Sequence, residues 1–239
     1  MQSSIWIFLK DVQLNILKHQ HKGLGQKHLV KLRYKKYFRK TSLKQKDIGE
    51  QFLNEIASKK PRNFLEVGVF HGVTARNVCE LLHSIHKKDF KYIGLDLFSE
   101  NEENLGEIIP STKFNNPLKK IYFEYILRKD PYSIEAVSDL LKKFEKNTHL
   151  IKGNSNELLK KIDMSKIDYV FLDGGHAYET VKNDLYYSKA VLDNNGTILC
   201  DDYNLGYAPG VKKAIDEFIN ENNLKYEIIF ERFAKIEKI

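Results

Sequence analysis

Two residues that could do chemistry, Asp173 and His176, are separated by a Gly-Gly pair and follow a short apolar run that ends at Leu172. That run is typical of a strand buried on both faces of a parallel sheet, and Val181 and Leu185 then recur at helical spacing. The pair is therefore expected at the carboxyl end of a central strand, where open α/β sheets bind ligands. A carboxylate and an imidazole there could hold a metal or move a proton. The alternative is that Asp173 caps the next helix and His176 is a surface residue.

A glycine loop, residues 68–72, is the second candidate site. Gly68 and Gly72 bracket a tight turn between a predicted strand, 64–69, and a helix that begins near Thr74. A glycine-rich turn that leads into a helix amino terminus is a natural site for a carboxylate or a phosphate.

The glycine loop does not match the dinucleotide fingerprint, because Phe70 and Val73 stand where the second and third glycines should be. A bulky side chain at the second position would keep a pyrophosphate away from the backbone. Glu66, on the preceding strand, would also repel a phosphate. The loop therefore favours a cofactor with a positively charged centre and an amino-acid end.

Polar residues also follow the next two predicted strands. Asp96 closes the second strand, where an acid is well placed to accept both ribose hydroxyls of an adenosine. Asn154 or Ser155 follows the third strand and could meet the adenine edge, unless Ser155 simply caps the helix that comes next.

The elements that must position these residues alternate between strand and helix five times and end in a hairpin predicted over 225–230 and 233–238. This order indicates an α/β fold with a doubly wound, mostly parallel sheet and right-handed crossovers. Residues 98–133 are polar, aromatic and irregular, and their length is typical of a lid or substrate loop. We divide the chain into a helical, basic amino-terminal extension, 1–60, and a ligand-binding domain, 61–239.

The net charge of +7 is concentrated in the basic arm, residues 1–40, which holds ten Lys/Arg and one acid. Apolar residues at helical spacing from Ile5 to Ile16 predict a helix that packs on the core or on a second subunit, so we expect a homo-oligomer. The alternative is an arm for nucleic acid, anionic lipid or an acidic substrate, of which we do not expect nucleic acid. Thr41 or Ser42 is expected to cap the next helix, which runs to about Ser58.

Cysteine use and hydropathy bound the compartment. Cys79 and Cys200 lie far apart inside apolar segments, which is typical of reduced, buried thiols in a cytoplasmic protein. The most apolar run, 5–9, is far shorter than the ~20 residues that a membrane span needs. We therefore expect neither a membrane span nor a signal peptide.

The chain resembles class I S-adenosylmethionine-dependent methyltransferases between about Asn63 and Phe218. The resemblance rests on the stretches E-V-G-V-F-H-G-V-T, L-D-L, D-Y-V-F-L-D-G-G-H-A-Y-E-T-V-K-N-D-L, C-D-D-Y and P-G-V-K-K-A-I-D-E-F. It is strongest to the metal-dependent macrocin- and mycinamicin-type sugar O-methyltransferases and the aminocoumarin O-methyltransferases. The glycine loop also resembles that of catechol O-methyltransferase. The basic arm and residues 98–133 match no family pattern, so the resemblance leaves the acceptor open.

The resemblance implies a Rossmann-like sheet of seven strands in the order 3-2-1-4-5-7-6, with the seventh strand antiparallel. It also implies S-adenosylmethionine as the cofactor, with its ribose held by Asp96. The residues that would surround the methionine part of the cofactor are Glu66, Gly68, Gly72 and Thr74.

By the same resemblance, the ligands of Mg²⁺ or another divalent cation would be Asp173, Asp201 and Asp202, and His176 would be the general base. Mg²⁺ prefers carboxylates and waters and leaves positions for substrate oxygens. It lowers the pKa of a bound hydroxyl, so that a histidine can take the proton near neutral pH. Because adjacent strand residues point to opposite faces, Asp201 and Asp202 can share an ion only if the strand ends at that point.

The leading interpretation is an S-adenosylmethionine-dependent O-methyltransferase that requires Mg²⁺ and methylates a hydroxyl of a small sugar-like or vicinal-diol molecule. One alternative is a metal-independent methyltransferase whose acids are structural. Another is an inactive homologue or binding protein that uses its basic arm.

Overall fold

Seven strands of the described chain pair into one sheet. Their bounds are β1 Asn63–Val67, β2 Lys91–Asp96, β3 Thr148–Lys152, β4 Ile167–Leu172, β5 Leu192–Cys200, β6 Lys225–Ile229 and β7 Phe233–Glu237. The order across the sheet is β3-β2-β1-β4-β5-β7-β6. Strands β1 to β5 run parallel, whereas β7 is antiparallel to both β5 and β6. The predicted fold class, strand order and antiparallel seventh strand are confirmed.

This computed structural model describes residues 32–98, 114, 116–161 and 166–237. Most of the basic arm, including the predicted helix from Ile5 to Ile16, lies outside the described residues, as do residues 99–113 of the predicted lid. From Arg33 onward the chain belongs to one compact unit. The division at residue 60 remains a prediction.

Helices connect the strands in the expected alternation. They are α1 Lys46–Lys59, α2 Val73–His86, α3 Pro117–Ile121, α4 Ile134–Leu141, α5 Ser155–Leu158, α6 Tyr178–Val191 and α7 Pro209–Asn222, with a π-helix over Tyr122–Leu127 and a 3₁₀ turn over Lys142–Phe144.

Strand β4 shows why the sheet is buried on both faces. Successive strand residues point to opposite sides, so Val170 packs with the side chains of α6 and α7, while Phe171 points the other way. The Phe171 ring lies 4.6 Å, centroid to centroid, from Phe52 of α1. Both phenylalanines and Val170 are fully buried. Burying both faces fixes the register of β4, and that register fixes where its carboxyl end, and Asp173, must lie.

Two expectations about local structure are wrong. Residues 98–133 are not irregular throughout, because the Asn116 side chain accepts hydrogen bonds from two backbone amides and so starts α3 at Pro117. Neither Thr41 nor Ser42 caps α1, which begins at Lys46 without a side-chain cap. The Thr41 hydroxyl instead accepts from the Leu43 amide. Ser42 is used at the site described next.

Candidate active site

The carboxyl ends of β4 and β5 bring three acids together, and we call Asp173, Asp201 and Asp202 the acidic centre. One carboxylate oxygen of each lies within 4.8 Å of the others. Strand β5 ends at Cys200, and Asp202 then adopts a left-handed backbone with φ 58°. Because the strand ends there, the alternation of faces ends too, and both neighbouring aspartates reach the same point.

Each acid has a hydrogen-bond partner from a different part of the chain. The Ser42 hydroxyl donates to Asp173 Oδ2 at 2.6 Å. Arg232 Nη2 donates to Asp201 Oδ2 at 2.6 Å, and Arg232 Nε also bonds to Asp201. Asp202 pairs with the imidazole of His176. Sequence reasoning missed Ser42 and Arg232, and no local pattern marks either, because each reaches the acidic centre through the tertiary fold.

The electrostatics of the acidic centre show an excess of negative charge. Burial, and then the charges of Asp201 and Asp202, raise the pKa of Asp173 well above its ordinary value. Burial also raises the pKa of Asp201, although the hydrogen bonds from Arg232 oppose that shift. A divalent cation prefers carboxylate oxygens and would remove this repulsion. The three residues therefore fit the predicted ion in both donor type and charge.

His176 lies beside the acidic centre, at the carboxyl end of β4 where the sequence predicts it. Its Nε2 lies 3.1 Å from Asp202 Oδ2, and its ring is 6.3 Å from the ring of Tyr207. The Tyr207 side chain is largely exposed. An imidazole oriented by a carboxylate is suited to take a proton, and the exposed ring beside it offers a flat surface for an acceptor.

The glycine loop begins where β1 ends, next to the acidic centre. Gly68 has φ 93°, and a side chain there would collide with the carbonyl oxygen of Asp173. Gly72 has φ 73°, and its amide closes the turn by donating to Val69 O at 2.9 Å. Both glycines are thus needed for the backbone path that brings the loop against the end of β4.

Glu66 is fully buried at the end of β1. The Tyr92 hydroxyl donates to Glu66 Oε2 at 2.7 Å, whereas Oε1 has no hydrogen-bond partner in the described part of the chain. Burial raises the pKa of Glu66 to about 8. An orphaned buried carboxyl oxygen suits a ligand that brings a hydrogen-bond donor or a positive charge. This fits a cofactor with an amino-acid end.

Asp96, at the end of β2, is already well satisfied by protein donors. Its Oδ2 accepts from the Phe70 amide at 2.7 Å, and its Oδ1 accepts from the Phe98 amide at 3.1 Å. The Tyr132 hydroxyl donates to the same Oδ1 at 2.6 Å. A ribose hydroxyl that reached Asp96 Oδ1 would have to replace the tyrosine.

The remaining predicted cofactor residues have structural partners as well. The Thr74 hydroxyl bonds to that of Tyr34 at 2.8 Å. Asn154, and not Ser155, caps α5 by accepting from the Asn156 amide at 2.9 Å. The end of β3 lies against Asp96, because the Gly153 amide donates to its carbonyl oxygen at 2.9 Å.

The segment of residues 34–42, which precedes α1, lies against the glycine loop. Tyr34 reaches Thr74 and Ser42 reaches Asp173, as described above. Between them Arg39 donates to the carbonyl oxygens of His71, Pro131 and Ala136. His71 is buried, and that burial lowers its pKa to about 3, so it is neutral. This segment therefore ties the glycine loop to the acidic centre.

A family model described as a methyltransferase domain matches residues 65–203. No curated protein sequence matches the chain. Within the described ranges, no helix is both long and apolar enough to cross a bilayer.

Solved structures share the fold. The O-methyltransferase NovP has 18% identity and a TM-score of 0.61, over 80% of this chain and 81% of that one. The S-adenosylhomocysteine-bound methyltransferase PaMTH1 of Podospora anserina has 17% identity and a TM-score of 0.55, over 82% and 79%. CalS11, a TDP-rhamnose 3′-O-methyltransferase, has 14% identity and a TM-score of 0.52, over 78% and 77%.

The family match covers more than half of the chain and contains the glycine loop and all three acids. The strand order of the sheet is the one that the resemblance to S-adenosylmethionine-dependent methyltransferases predicts. The chain belongs to the methyltransferase-domain family and is a class I S-adenosylmethionine-dependent methyltransferase.

Proposed function

We propose that this enzyme transfers the methyl group of S-adenosylmethionine to a hydroxyl of a small sugar-like or vicinal-diol acceptor, with Mg²⁺ or another divalent cation at the acidic centre. The observation that carries the proposal is the convergence of three carboxylates within 4.8 Å, next to an imidazole. The names of NovP and CalS11 describe an O-methyltransferase and a sugar O-methyltransferase, which supports oxygen as the acceptor atom.

In this mechanism the three acids bind the cation and the imidazole moves a proton. Asp173, Asp201 and Asp202 would hold the cation, which supplies positions for acceptor oxygens and lowers the pKa of the acceptor hydroxyl. His176 takes the hydroxyl proton. Asp202 Oδ2 orients the ring through Nε2.

The glycine loop would place the methyl donor. Glu66, Gly68, Gly72 and Thr74 would surround the methionine part of the cofactor, Asp96 would hold the ribose, and Asn154 and Ser155 would lie near the adenine. The sulfonium supplies the methyl group, and transfer requires the acceptor oxygen in line behind it. Because the loop backbone lies against Asp173, donor and acceptor would meet between the two sites.

Other properties stay predictions. A cytoplasmic location is supported by two buried, free cysteines, Cys79 and Cys200. A homo-oligomer, an absence of nucleic-acid binding, the role of the basic arm and the role of residues 98–133 as a lid are proposed from the sequence.

The deciding experiment measures S-adenosylhomocysteine release from chelator-treated protein with a panel of glycosides and vicinal diols, before and after Mg²⁺ is added. We expect calorimetry to show S-adenosylmethionine binding, and Mg²⁺ to restore turnover. Turnover that is unchanged by the chelator would favour the metal-independent methyltransferase. Failure to bind S-adenosylmethionine would favour the inactive homologue.

A further inference from the structure

Arg232 reaches the acidic centre because of strand register. It immediately precedes β7, in which Ala234 pairs with Cys200 of the antiparallel strand β5. The residues before β7 must therefore run beside those after β5. The Tyr203 amide confirms this by donating to the carbonyl oxygen of Arg232 at 2.9 Å.

The Arg232 guanidinium grips one acid with two nitrogens and lies close to a second. Nε and Nη2 both bond to Asp201, and Nη2 lies 3.3 Å from Asp202 Oδ1. The Asp201 side chain is 1% exposed. A carboxylate buried to this extent is strongly destabilising unless a charged partner offsets its lost hydration.

The charge count at the acidic centre matches one divalent ion. When all three acids are ionised, they and the Arg232 guanidinium, which forms salt bridges with two of them, carry an excess of two negative charges among these four groups. Arg232 therefore neutralises one of the three negative charges before any metal binds.

The hairpin that presents Arg232 is strained. Phe230 and Glu231, the two central residues of the turn, both have φ 56°, and the Arg232 amide closes the turn on Ile229 O at 3.2 Å. Two-residue turns with this backbone favour Asn-Gly, since other residues disfavour the left-handed region. Strain that persists beside a functional site favours a functional reason for the geometry.

We propose that Arg232 is a resident counter-ion of the acidic centre, which holds Asp201 and Asp202 in place without metal and competes with the divalent cation for their charge. This inference rests on the metal site of the proposed function. Two cations that neutralise the same acids weaken each other's binding, and the coupling is reciprocal. Arg232 should therefore stabilise the metal-free protein more than the metal-loaded protein.

The test compares wild-type protein with Arg232→Met and Arg232→Lys, without S-adenosylmethionine, in chelator and in saturating Mg²⁺. Arg232→Met should lower the melting temperature more in chelator than in Mg²⁺, so that the Mg²⁺-induced rise becomes larger than in wild type. Calorimetry with Mn²⁺ should show affinity raised by roughly fivefold or more, the usual lower bound of such couplings. Arg232→Lys keeps the positive charge, so its melting temperatures and its Mn²⁺ affinity should lie between those of wild type and Arg232→Met. Unchanged or weaker Mn²⁺ binding by Arg232→Met would overturn the inference.

A charge-balanced pair covers the case in which Arg232→Met does not fold in chelator. The double variant Asp201→Asn/Arg232→Met removes one charge of each sign and should melt in chelator well above Arg232→Met alone. If the pair is no more stable than Arg232→Met, Arg232 acts through packing and the inference fails. Arg62→Met is the matched control, because its exposed guanidinium pairs with exposed Asp89, and it should leave the Mg²⁺-induced rise unchanged.

The result also separates this inference from the proposed function. If the wild-type protein binds Mn²⁺ and Arg232→Met binds it no more tightly, only the counter-ion role is wrong. If the wild-type protein binds neither Mg²⁺ nor Mn²⁺, the metal site and the counter-ion role are both wrong.

Discussion

The acidic centre and the glycine loop lie side by side at the carboxyl edge of one sheet, but their polar groups are satisfied in different ways. In the acidic centre three carboxylates share one bonded guanidinium. In the glycine loop region Asp96 accepts from two amides and one hydroxyl, and Thr74 is bonded to Tyr34. The acidic centre has an excess of negative charge, whereas Asp96 and Thr74, beside the glycine loop, are already hydrogen-bonded to other protein groups.

This difference separates two ways of binding a ligand. A cation at the acidic centre adds a charge that the protein lacks, so removing one of the three carboxylates or the imidazole beside them should weaken binding or chemistry. A cofactor hydroxyl at Asp96 Oδ1 must replace a contact that the protein already makes, so removing the competing protein hydroxyl there should strengthen binding. The following substitutions test this contrast, beginning with the largest expected effect.

His176→Ala should lower turnover by roughly 10²–10⁴-fold, the usual contribution of a general base. Its imidazole touches Asp202 but is not one of the three clustered acids, so the affinity for Mn²⁺ should stay near wild type. Single-turnover rates and Mn²⁺ calorimetry measure the two effects separately. Added Mg²⁺ should not restore the rate. Loss of Mn²⁺ binding would mean that His176 is a ligand and that the base lies elsewhere.

Asp173→Asn should weaken Mn²⁺ binding by more than the 10–100-fold that is typical of losing a residue that only supports a ligand. Turnover should fall with it, and excess Mg²⁺ should recover part of the rate by mass action. The matched control is Asp168→Asn on the same strand, whose carboxylate accepts from the Arg62 and Asn63 amides. That variant should bind Mn²⁺ as wild type does. Equal losses in both variants would contradict a metal site at the acidic centre.

The sequence predicted the parts of both sites that depend on short stretches of chain. Asp173 and Asp96 could be placed because Asp173 directly follows one strand and Asp96 closes another, and the apolar run of each strand is long enough to recognise. The parts it missed are contacts between distant segments: Ser42 with Asp173, Tyr132 with Asp96, and Arg232 with Asp201. The hairpin was expected, but its register was not, and the register decides which side chain reaches the acids.

Glu66 differs from the other polar groups beside the glycine loop, because one oxygen of its buried carboxyl group has no hydrogen-bond partner in the described part of the chain. Burial raises its pKa in the folded protein from 4.5 to about 8. Between these values the unfolded chain has lost the proton that the folded protein keeps, so stability should fall as the pH rises through this range. Glu66→Gln should remove that part of the slope in melting temperature against pH, measured without cofactor.

The control for this slope is Glu80→Gln. Its carboxylate on α2 is in salt bridges with Lys35 and Arg76, so it should be ionised throughout this pH range in both folded and unfolded protein. The variant should shift the melting temperature by the same amount at every pH and leave its slope between about pH 5 and pH 8 unchanged. A slope that is equally steep in Glu66→Gln and wild type would place the titrating group elsewhere.

Tyr132→Phe should have the smallest effect and the opposite sign. The tyrosine hydroxyl and the Phe98 amide both bond to Asp96 Oδ1, so a ribose hydroxyl must displace the tyrosine to bind that oxygen. Removing the hydroxyl while keeping the ring should tighten S-adenosylmethionine binding by about two- to tenfold, the net worth of one hydrogen bond. Calorimetry measures this directly. Tyr203→Phe is the matched control, since its hydroxyl donates to Asp216 instead.

A double substitution decides whether Tyr132 acts through Asp96. Asp96→Ala should weaken S-adenosylmethionine binding by roughly 1.5–3 kcal/mol, the scale of hydrogen bonds to a charged group. In that background Tyr132→Phe should change nothing, because the oxygen for which tyrosine and ribose compete is gone. If Tyr132→Phe weakens binding in the wild-type background, the hydroxyl contacts the cofactor and does not take its place. The two sites would then bind their ligands in the same way, each by adding a contact.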